Sequence, residues 1–169
     1  MAKLDAHETI GAFILENRDS LYRLAYSYVG NKEDAMDILG DTICKALARA
    51  KSLRNPAVVR AWIYRIAVNS ALDFLRKRRR DLYLESDAVA SESDMYQDID
   101  LQAALASLST RNRTIIALRF YEDMKIEEIA EVLGENINTI KTALYSSLRK
   151  LRVELDDHGP GIIQGGGSE

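Results

Sequence analysis

The sequence has very few of the residues that fasten a small fold through disulfide bonds or metal ions. Its 169 residues include one cysteine, Cys44, and two histidines. One cysteine cannot form an internal disulfide, and three such side chains are too few for a closed Cys/His zinc site. We therefore predict no metal and no cofactor, and we expect a protein of a reducing compartment, the cytoplasm.

Long apolar runs are also absent. No segment approaches the roughly 18 uncharged apolar residues that a membrane-spanning helix needs. The first residues, MAKLDAHETIGAF, include no apolar stretch of the kind found in secretion signals. The sequence therefore predicts neither membrane insertion nor export.

Catalytic patterns are missing too. The two histidines, His7 and His158, do not combine with a nucleophile and an acid in a recognisable motif. No glycine-rich phosphate loop occurs either. An enzyme is therefore poorly supported, and we predict a protein without catalytic activity.

Helix-forming residues dominate what is present. Ala, Leu, Ile, Arg, Glu and Asp are abundant, whereas both prolines and most glycines fall at a few places. We predict an all-α protein with two small helical domains, residues 1–80 and residues 101–155. An acidic flexible linker, residues 81–100, joins them, and residues 156–169 form a flexible glycine-rich tail.

Local signals divide the N-terminal domain into three helices. Gly30 is suited to end the first helix in a left-handed conformation, and Asn31 is suited to cap the second. Asn55 followed by Pro56 marks the start of the third helix. The predicted helices cover residues 8–29, 31–50 and 56–79.

Apolar residues recur at helical spacing, and this pattern predicts the core. A further helix with an apolar face is predicted in the C-terminal half, where Ser109 is suited to be its cap. The predicted core positions, helix by helix, are Ile10, Phe13, Ile14, Leu21, Leu24 and Tyr28; Ile38, Leu39, Ile43, Ala46 and Leu47; Val59, Ile63, Ile66, Ala67 and Phe74; and Ile115, Ile116, Leu118 and Phe120.

Charge is strongly segregated along the chain, although the formal net charge is only −3. Residues 52–80 contain eight Arg or Lys and one acid, whereas residues 81–100 contain seven acids and no base. The segment ENINTIKTALYSSLRKLR, residues 135–152, is basic after its first residue. Such asymmetry favours a nucleic-acid-binding protein that carries an acidic segment; two solvated faces of opposite sign are the alternative.

The segment IEEIAEVLGENINTIKTAL has the pattern of a helix-turn-helix. Ala130 is small enough for a second helix to cross it, Gly134 suits a turn with positive φ, and Ile140 fixes the second helix in the core. The second helix would enter a major groove, with basic residues on phosphates; a helical hairpin that only packs is the alternative. The predicted contact residues are Asn138, Thr139, Lys141, Thr142, Tyr145, Arg149, Lys150 and Arg152.

Three segments together resemble a bacterial RNA polymerase sigma factor of the extracytoplasmic-function (ECF) group. They are LYRLAYSYVGNKEDAMDILGDTICKAL, RAWIYRIAVNSALDFLRKRRR and LSTRNRTIIALRFYEDMKIEEIAEVLGENINTIKTALYSSLRKLR. The resemblance extends from about Asp19 to Leu155, with the segments in the family's order. It implies two helical domains, region 2 and region 4, with a short linker in place of a third domain.

The resemblance implies that region 2 recognises and opens the minus-ten promoter element and captures a base flipped out of the non-template strand. A polar pocket beside a cationic helix can offset the roughly few kcal/mol that unstacking a base costs. Trp62 is either a stacking platform for DNA or, as we favour, a side chain packed into the core. The region 2 residues implied are Arg54, Asn55, Asn69, Asp73, Arg76 and Arg80.

Region 4 is implied to read the minus-thirty-five element through its helix-turn-helix and to contact the β flap of the polymerase. Tyr145 can meet a thymine methyl group. Ala143 and Ser146 stand where many relatives have Arg, so the promoter sequence cannot be copied from a relative. The region 4 residues implied are Asn136, Asn138, Thr139, Lys141, Thr142, Tyr145, Ser146 and Arg149.

Three acids, Asp34, Asp37 and Asp41, fall on one face of the second helix. The resemblance implies that this face binds the β′ clamp helices of core polymerase, where opposite charge steers docking; a merely solvated face is the alternative.

The linker would thread toward the polymerase cleft or serve as a plain tether. An anti-sigma factor is the implied regulator.

The main alternative is a stand-alone helix-turn-helix regulator. Such a protein needs an N-terminal effector or dimerisation domain, whereas this chain has WIYRIAVN followed by RKRRR. The regulator should bind duplex DNA alone. The sigma factor should need core polymerase to bind promoter DNA.

Overall fold

The computed structural model describes residues 5–84 and 99–158, which contain helices and turns and no strand. The prediction of an all-α protein is thereby confirmed. Within these ranges no helix is both long and apolar enough to cross a membrane. The elements are α1 (Ala6–Val29), α2 (Lys32–Ala48), two 3₁₀ turns (Ala50–Ser52 and Pro56–Val58), α3 (Val59–Leu84), α4 (Ile99–Ser107), α5 (Thr110–Phe120), α6 (Ile126–Leu133) and α7 (Ile137–His158).

The N-terminal bundle consists of α1, α2 and α3, each of which packs against the other two. Gly30 ends α1 with a φ of 70°, and its N–H bonds the carbonyl of Tyr26. Asn31 then caps α2, since its side chain accepts a hydrogen bond from the N–H of Asp34 at 2.9 Å. The chain therefore reverses direction within two residues. The side chains that fill this bundle include Ile10, Leu21, Leu24, Ile38 and Ile63.

The first helix is kinked, which its sequence did not indicate. Asn17 has φ −115° and ψ 16°, outside the helical range. Its side-chain amide donates a hydrogen bond to the carbonyl of Phe13 at 2.9 Å. A side chain that satisfies a freed carbonyl in this way lets the helix bend and still keep its apolar face on the core.

Two helices continue past their predicted ends. The third helix reaches Leu84, four residues into the predicted linker, and α7 reaches His158, three residues into the predicted tail. Nothing at either point breaks a helix, because neither Gly nor Pro occurs between Arg79 and Leu84 or between Leu155 and His158. Residues 85–98 of the predicted linker and residues 159–169 of the predicted tail lie outside the described residues.

Two predicted core positions were wrong. Leu47 is 39% exposed and Phe120 is 58% exposed. Leu47 lies in the last turn of α2, and the buried residues in the C-terminal half of that helix are Thr42 and Ala46. Thr42 can be buried because its hydroxyl donates to the carbonyl of Ile38 at 2.8 Å. Phe120 is the last residue of α5, and it is exposed at that helix end.

The C-terminal bundle consists of α4 to α7. Ser109 caps α5, as predicted, because its hydroxyl accepts from the N–H of Asn112 at 3.2 Å. The helices then close around fully buried side chains, among them Ile115, Leu118, Met124, Ile129 and Ile140.

The two bundles also contact each other, which the sequence did not predict. The first helix packs against α5, and α3 packs against α6. The hydroxyl groups of Tyr28 and Thr114 are hydrogen-bonded across the junction of α1 and α5. Both residues are buried, so polar groups form part of the contact.

Candidate nucleic-acid interface

The helix-turn-helix has the geometry that its sequence predicts. Ala130 is 6% exposed and Ile140 is fully buried, so the two helices close on one another. Gly134 has a φ of 65°, and its N–H bonds the last turn of α6. Only a residue without a side chain adopts this left-handed conformation at little cost. The turn therefore sets the angle at which α7 leaves α6.

Asn136 caps the recognition helix α7. Its side-chain oxygen accepts a hydrogen bond from the N–H of Asn138 at 2.8 Å. The Thr142 hydroxyl is bonded back to the carbonyl of Asn138 at 2.9 Å. The predicted groove residues form an exposed surface on this helix, namely Asn136, Asn138, Thr139, Lys141, Thr142, Tyr145, Ser146 and Arg149.

Two other positions on α7 make contacts within the domain. Ala143 is only 8% exposed, so its side chain faces the core. Lys150 donates from Nζ to the carbonyl of Ser107 at 2.9 Å. Because that carbonyl lies at the C-terminal end of α4, the lysine caps another helix of the same domain. The sequence gives no signal for this long-range pair.

An ion pair anchors the turn of the helix-turn-helix to α5. Arg111 donates from Nε to Glu135 at 2.8 Å, and its Nη2 is paired with the second carboxylate oxygen. Hydrogen bonding to the guanidinium lowers the pKa of Glu135, and the same bond raises the pKa of Arg111. The paired charges thus favour the folded turn.

A stripe of polar residues along α3 faces solvent and includes four of the residues implied for region 2. Its members Arg65, Asn69, Asp73, Arg76 and Arg80 are all exposed. Trp62, one turn before Ile66, is partly buried and packs against the core, as favoured by the sequence. The stripe is therefore a cationic surface held on one face of a rigidly packed helix.

The turn before α3 supplies the other two residues predicted for region 2. Arg54 and Asn55 are exposed. The side chain of Asn55 accepts from the N–H of Ala57 at 3.0 Å, which makes it the cap of the turn that starts with Pro56. Arg54 and Asn55 lie at the N-terminal side of α3.

Asp73 lies at the centre of a charge network. It pairs with Arg76 at 3.1 Å and with Lys45 of α2 at 3.6 Å. Lys45 also pairs with Asp41 at 2.7 Å. The network joins the acidic face of α2 to the cationic stripe of α3, and Asp73 is thereby placed to orient Arg76. The sequence analysis did not single out Lys45, whose second partner, Asp73, is 28 positions away in the chain.

The acidic face of α2 is only partly free for a partner. Asp34 bonds Arg78 at 2.9 Å and the side chain of Asn31 at 2.8 Å. Asp41 is engaged with Lys45, and Asp37 is exposed. These internal pairs orient two of the three carboxylates before any partner binds.

Comparison with known proteins assigns both halves of the chain. Residues 13–81 match the Sigma-70 region 2 family, and residues 98–151 match the Sigma-70 region 4 family. The chain is 44% identical to the RNA polymerase sigma factor SigV of Bacillus subtilis over 146 residues, or 84% of this chain and 88% of that protein. It is 28% identical to the ECF RNA polymerase sigma factor SigW of the same organism, over 83% of this chain and 85% of SigW.

A solved structure agrees with this assignment. The sigma factor RpoE from Bartonella quintana, in complex with the anti-sigma factor NepR, superposes with a TM-score of 0.73 at 26% identity, over 86% of this chain and 96% of that one. The match to region 2 disfavours a stand-alone helix-turn-helix regulator, because such a protein has no need of this domain. The chain therefore belongs to the ECF group of RNA polymerase sigma factors, with a region 2 followed by a region 4.

Proposed function

We propose that this sigma factor binds core RNA polymerase and brings it to one class of promoters, region 2 opening the minus-ten element and region 4 reading the minus-thirty-five element. The observation that carries the proposal is the presence of two separate exposed surfaces on one chain that hold the residues predicted to contact DNA. One is the polar stripe of α3, and the other is the outer face of α7. It acts as a non-catalytic factor in the cytoplasm, where the polymerase works.

Region 4 reads duplex DNA. Exposed Asn138, Thr139 and Tyr145 reach base edges, because they lie near the N-terminal end of a helix that a major groove can admit. Lys141 and Arg149 contact phosphates on either side. Asn136 contributes by capping the helix and so presents the first backbone N–H groups toward the DNA.

Region 2 acts on DNA that is already separating. Asn69 offers an amide to the edge of a flipped base, while Arg76 and Arg80 hold the phosphates of the displaced strand. Arg54 and Asn55, exposed in the turn before α3, are proposed to contact the same strand. Asp73 acts by orienting Arg76, with which it is paired.

The acidic face of α2 is the proposed docking site for the β′ clamp helices, and region 4 contacts the β flap. Asp37 meets the partner's cations directly, whereas Asp34 and Asp41 add negative potential from oriented positions. Charge of this kind accelerates encounter and fixes register. The linker, residues 81–100, spans the polymerase between the two DNA elements.

An anti-sigma factor is the proposed regulator. The supporting observation is the superposition with a sigma factor that was solved with its anti-sigma factor. A protein that covers the clamp-binding face or holds the two regions together would keep this chain from the polymerase.

A gel-shift experiment tests the proposal against the regulator alternative. The chain alone, core polymerase alone and both together are incubated with promoter DNA at moderate salt. We expect a specific shift only when both are present. A shift of equal affinity and specificity with the chain alone would overturn the sigma-factor mechanism.

A further inference from the structure

Lys45 lies at the junction of α2 and α3, with its ammonium group among three oxygen atoms. Its Nζ lies 2.7 Å from Oδ2 of Asp41 and 3.6 Å from Oδ2 of Asp73. It also donates to the hydroxyl of Ser70 at 3.4 Å. Because an ammonium group has three N–H donors, these oxygens can occupy all of them. Lys45 is therefore held between the two helices.

The ion pairs of Lys45 belong to a line of alternating charge. Asp41 comes first, followed by Lys45, Asp73 and Arg76, whose Nη1 lies 3.1 Å from Oδ1 of Asp73. Asp73 thus divides its two oxygens between two cations, and Lys45 divides its donors between two carboxylates. We call these four residues the charge relay.

The two ends of the charge relay lie on different proposed surfaces. Asp41 belongs to the acidic face of α2, the proposed docking site for the clamp helices, and its side chain is 48% exposed. Arg76 belongs to the stripe of α3, which is proposed to hold the displaced strand, and its side chain is 71% exposed. Both ends are therefore open to a partner, whereas Lys45 between them is 31% exposed.

A cation beside Asp41 should change the pairing along the whole relay. The cation competes with Lys45 for the carboxylate of Asp41, so Lys45 moves toward Asp73. The 3.6 Å distance between Nζ and Asp73 leaves room for this movement, since a charged hydrogen bond is about 2.8 Å long. Asp73 then attracts Arg76 less strongly, because its negative charge is shared with a closer ammonium group. Arg76 is left free to contact a DNA phosphate.

The relay also acts in the opposite direction. A phosphate that pairs with Arg76 leaves Asp73 to Lys45, and this releases Asp41 to the cation of a partner. Two binding events linked in this way strengthen each other by the same factor. Since partly exposed ion pairs are weak, we expect this factor to be about two to five.

We propose that Lys45 is a positioning residue that couples docking of core polymerase at Asp41 to release of Arg76 for the displaced DNA strand. This inference rests on the proposed function. It gives a role to a side chain that acts without itself contacting either partner, and it makes part of the grip on the strand depend on the polymerase contact.

A binding cycle tests the charge relay. The affinity of the full chain for core polymerase is measured with and without a saturating single-stranded oligonucleotide, the non-template minus-ten strand of a promoter that the holoenzyme transcribes. The ratio of the two affinities is the coupling factor. The test variant is Lys45→Met, which removes the charge and keeps an unbranched side chain. The matched control is Lys77→Met, which removes the same charge from an exposed position on α3.

We expect Lys45→Met to lower the coupling factor about two- to fivefold, whereas Lys77→Met should keep the value of the parent. Lys45→Arg restores a cation and should recover most of the loss. In the Asp73→Asn background, Lys45→Met should have little further effect, because the relay is already broken. A purely structural role for Lys45 would lower the melting temperature and leave the coupling factor unchanged.

Asp41→Asn gives a second test, on the chain without polymerase. Loss of this charge should act like an occupied docking site, because Lys45 moves to Asp73 and Arg76 is released. The free chain should then bind the oligonucleotide about twofold more tightly, although it binds core polymerase more weakly. Asp37→Asn removes the same charge from an exposed position on the same face and should raise the oligonucleotide affinity less.

Failure of the relay and failure of the proposed function are distinguishable. The relay is overturned if Lys45→Met keeps the coupling factor of the parent, or if Lys77→Met lowers it equally, while polymerase binding remains intact. An Asp41→Asn chain that binds the oligonucleotide no better than Asp37→Asn also overturns it, and this comparison decides alone if Lys45→Met does not fold. A parent chain that does not bind core polymerase would instead contradict the proposed function.

Discussion

Two exposed lysines on α7 differ in the role that we assign to them. Lys141 is proposed to contact DNA, whereas Lys150 caps α4 through the carbonyl of Ser107. Both are lysines on a basic helix, and the sequence predicted the same phosphate contact for each. Only the three-dimensional neighbours distinguish them, because Ser107 is 43 positions from Lys150.

Lys141→Ala should weaken use of the minus-thirty-five element and reduce the slope of log affinity against log salt by about one unit, since one phosphate contact is lost. Lys150→Ala is the matched control. It should lower the melting temperature slightly and change the salt slope less. Salt titrations of holoenzyme on promoter DNA measure both, and equal slopes for the two variants would contradict this division.

Asn69→Ala should impair promoter opening with little effect on polymerase binding. Asn69 is exposed on α3 and carries no charge, so its replacement should leave the three carboxylates of the acidic face of α2 in place. Permanganate footprinting of unpaired thymines, together with a binding titration against core polymerase, gives the two readouts. A variant that lost only polymerase affinity would show that α3 serves docking.

At the scale of secondary structure, caps and turns were predictable and helix–helix neighbours were not. Gly30, Asn31, Ser109 and Gly134 each end or begin a helix as the sequence indicates, because these signals act within four residues. The buried hydroxyl of Thr42 and the kink at Asn17 escaped prediction, since both depend on how a helix bends and packs. Local chemistry therefore fixes a helix end where the sequence supplies a capping residue.

Gly134→Ala should destabilise the protein by about 1–2 kcal/mol, because an L-residue is strained in the left-handed region. A Cβ there would also lie 3.2 Å from the guanidinium of Arg65. Gly40→Ala is the control, since Gly40 lies inside α2 with open space around it, and it should stabilise by about 0.5–1 kcal/mol. Denaturant unfolding measures both; the same sign for both would contradict the turn geometry.

The Arg111–Glu135 pair makes a pH-dependent contribution. The folded-state pKa of Glu135 is lowered, so the stabilisation is complete above its unfolded pKa of about 4.3 and is lost as pH falls through the folded value. Glu135→Gln should therefore cost about 0.5 kcal/mol at neutral pH, given the partial exposure of the pair. The difference from the parent, followed by thermal unfolding, should shrink below about pH 4; a constant difference would contradict the assignment.

At the scale of the whole molecule, the sequence predicted two helical domains but not their contact. In the sequence, Arg60, Tyr64 and Glu122 have no feature that marks them as contact residues. They are joined by hydrogen bonds between residues more than 50 positions apart, and no periodic pattern in the sequence reports such pairs.

Run-off transcription tests the central claim most directly. Purified chain and core polymerase are combined on a template whose promoter carries both elements, and on matched templates with either element scrambled. We predict a discrete transcript that needs the chain and is lost when either element is scrambled. The account would be contradicted if adding the chain left transcription unchanged on every promoter of the genome.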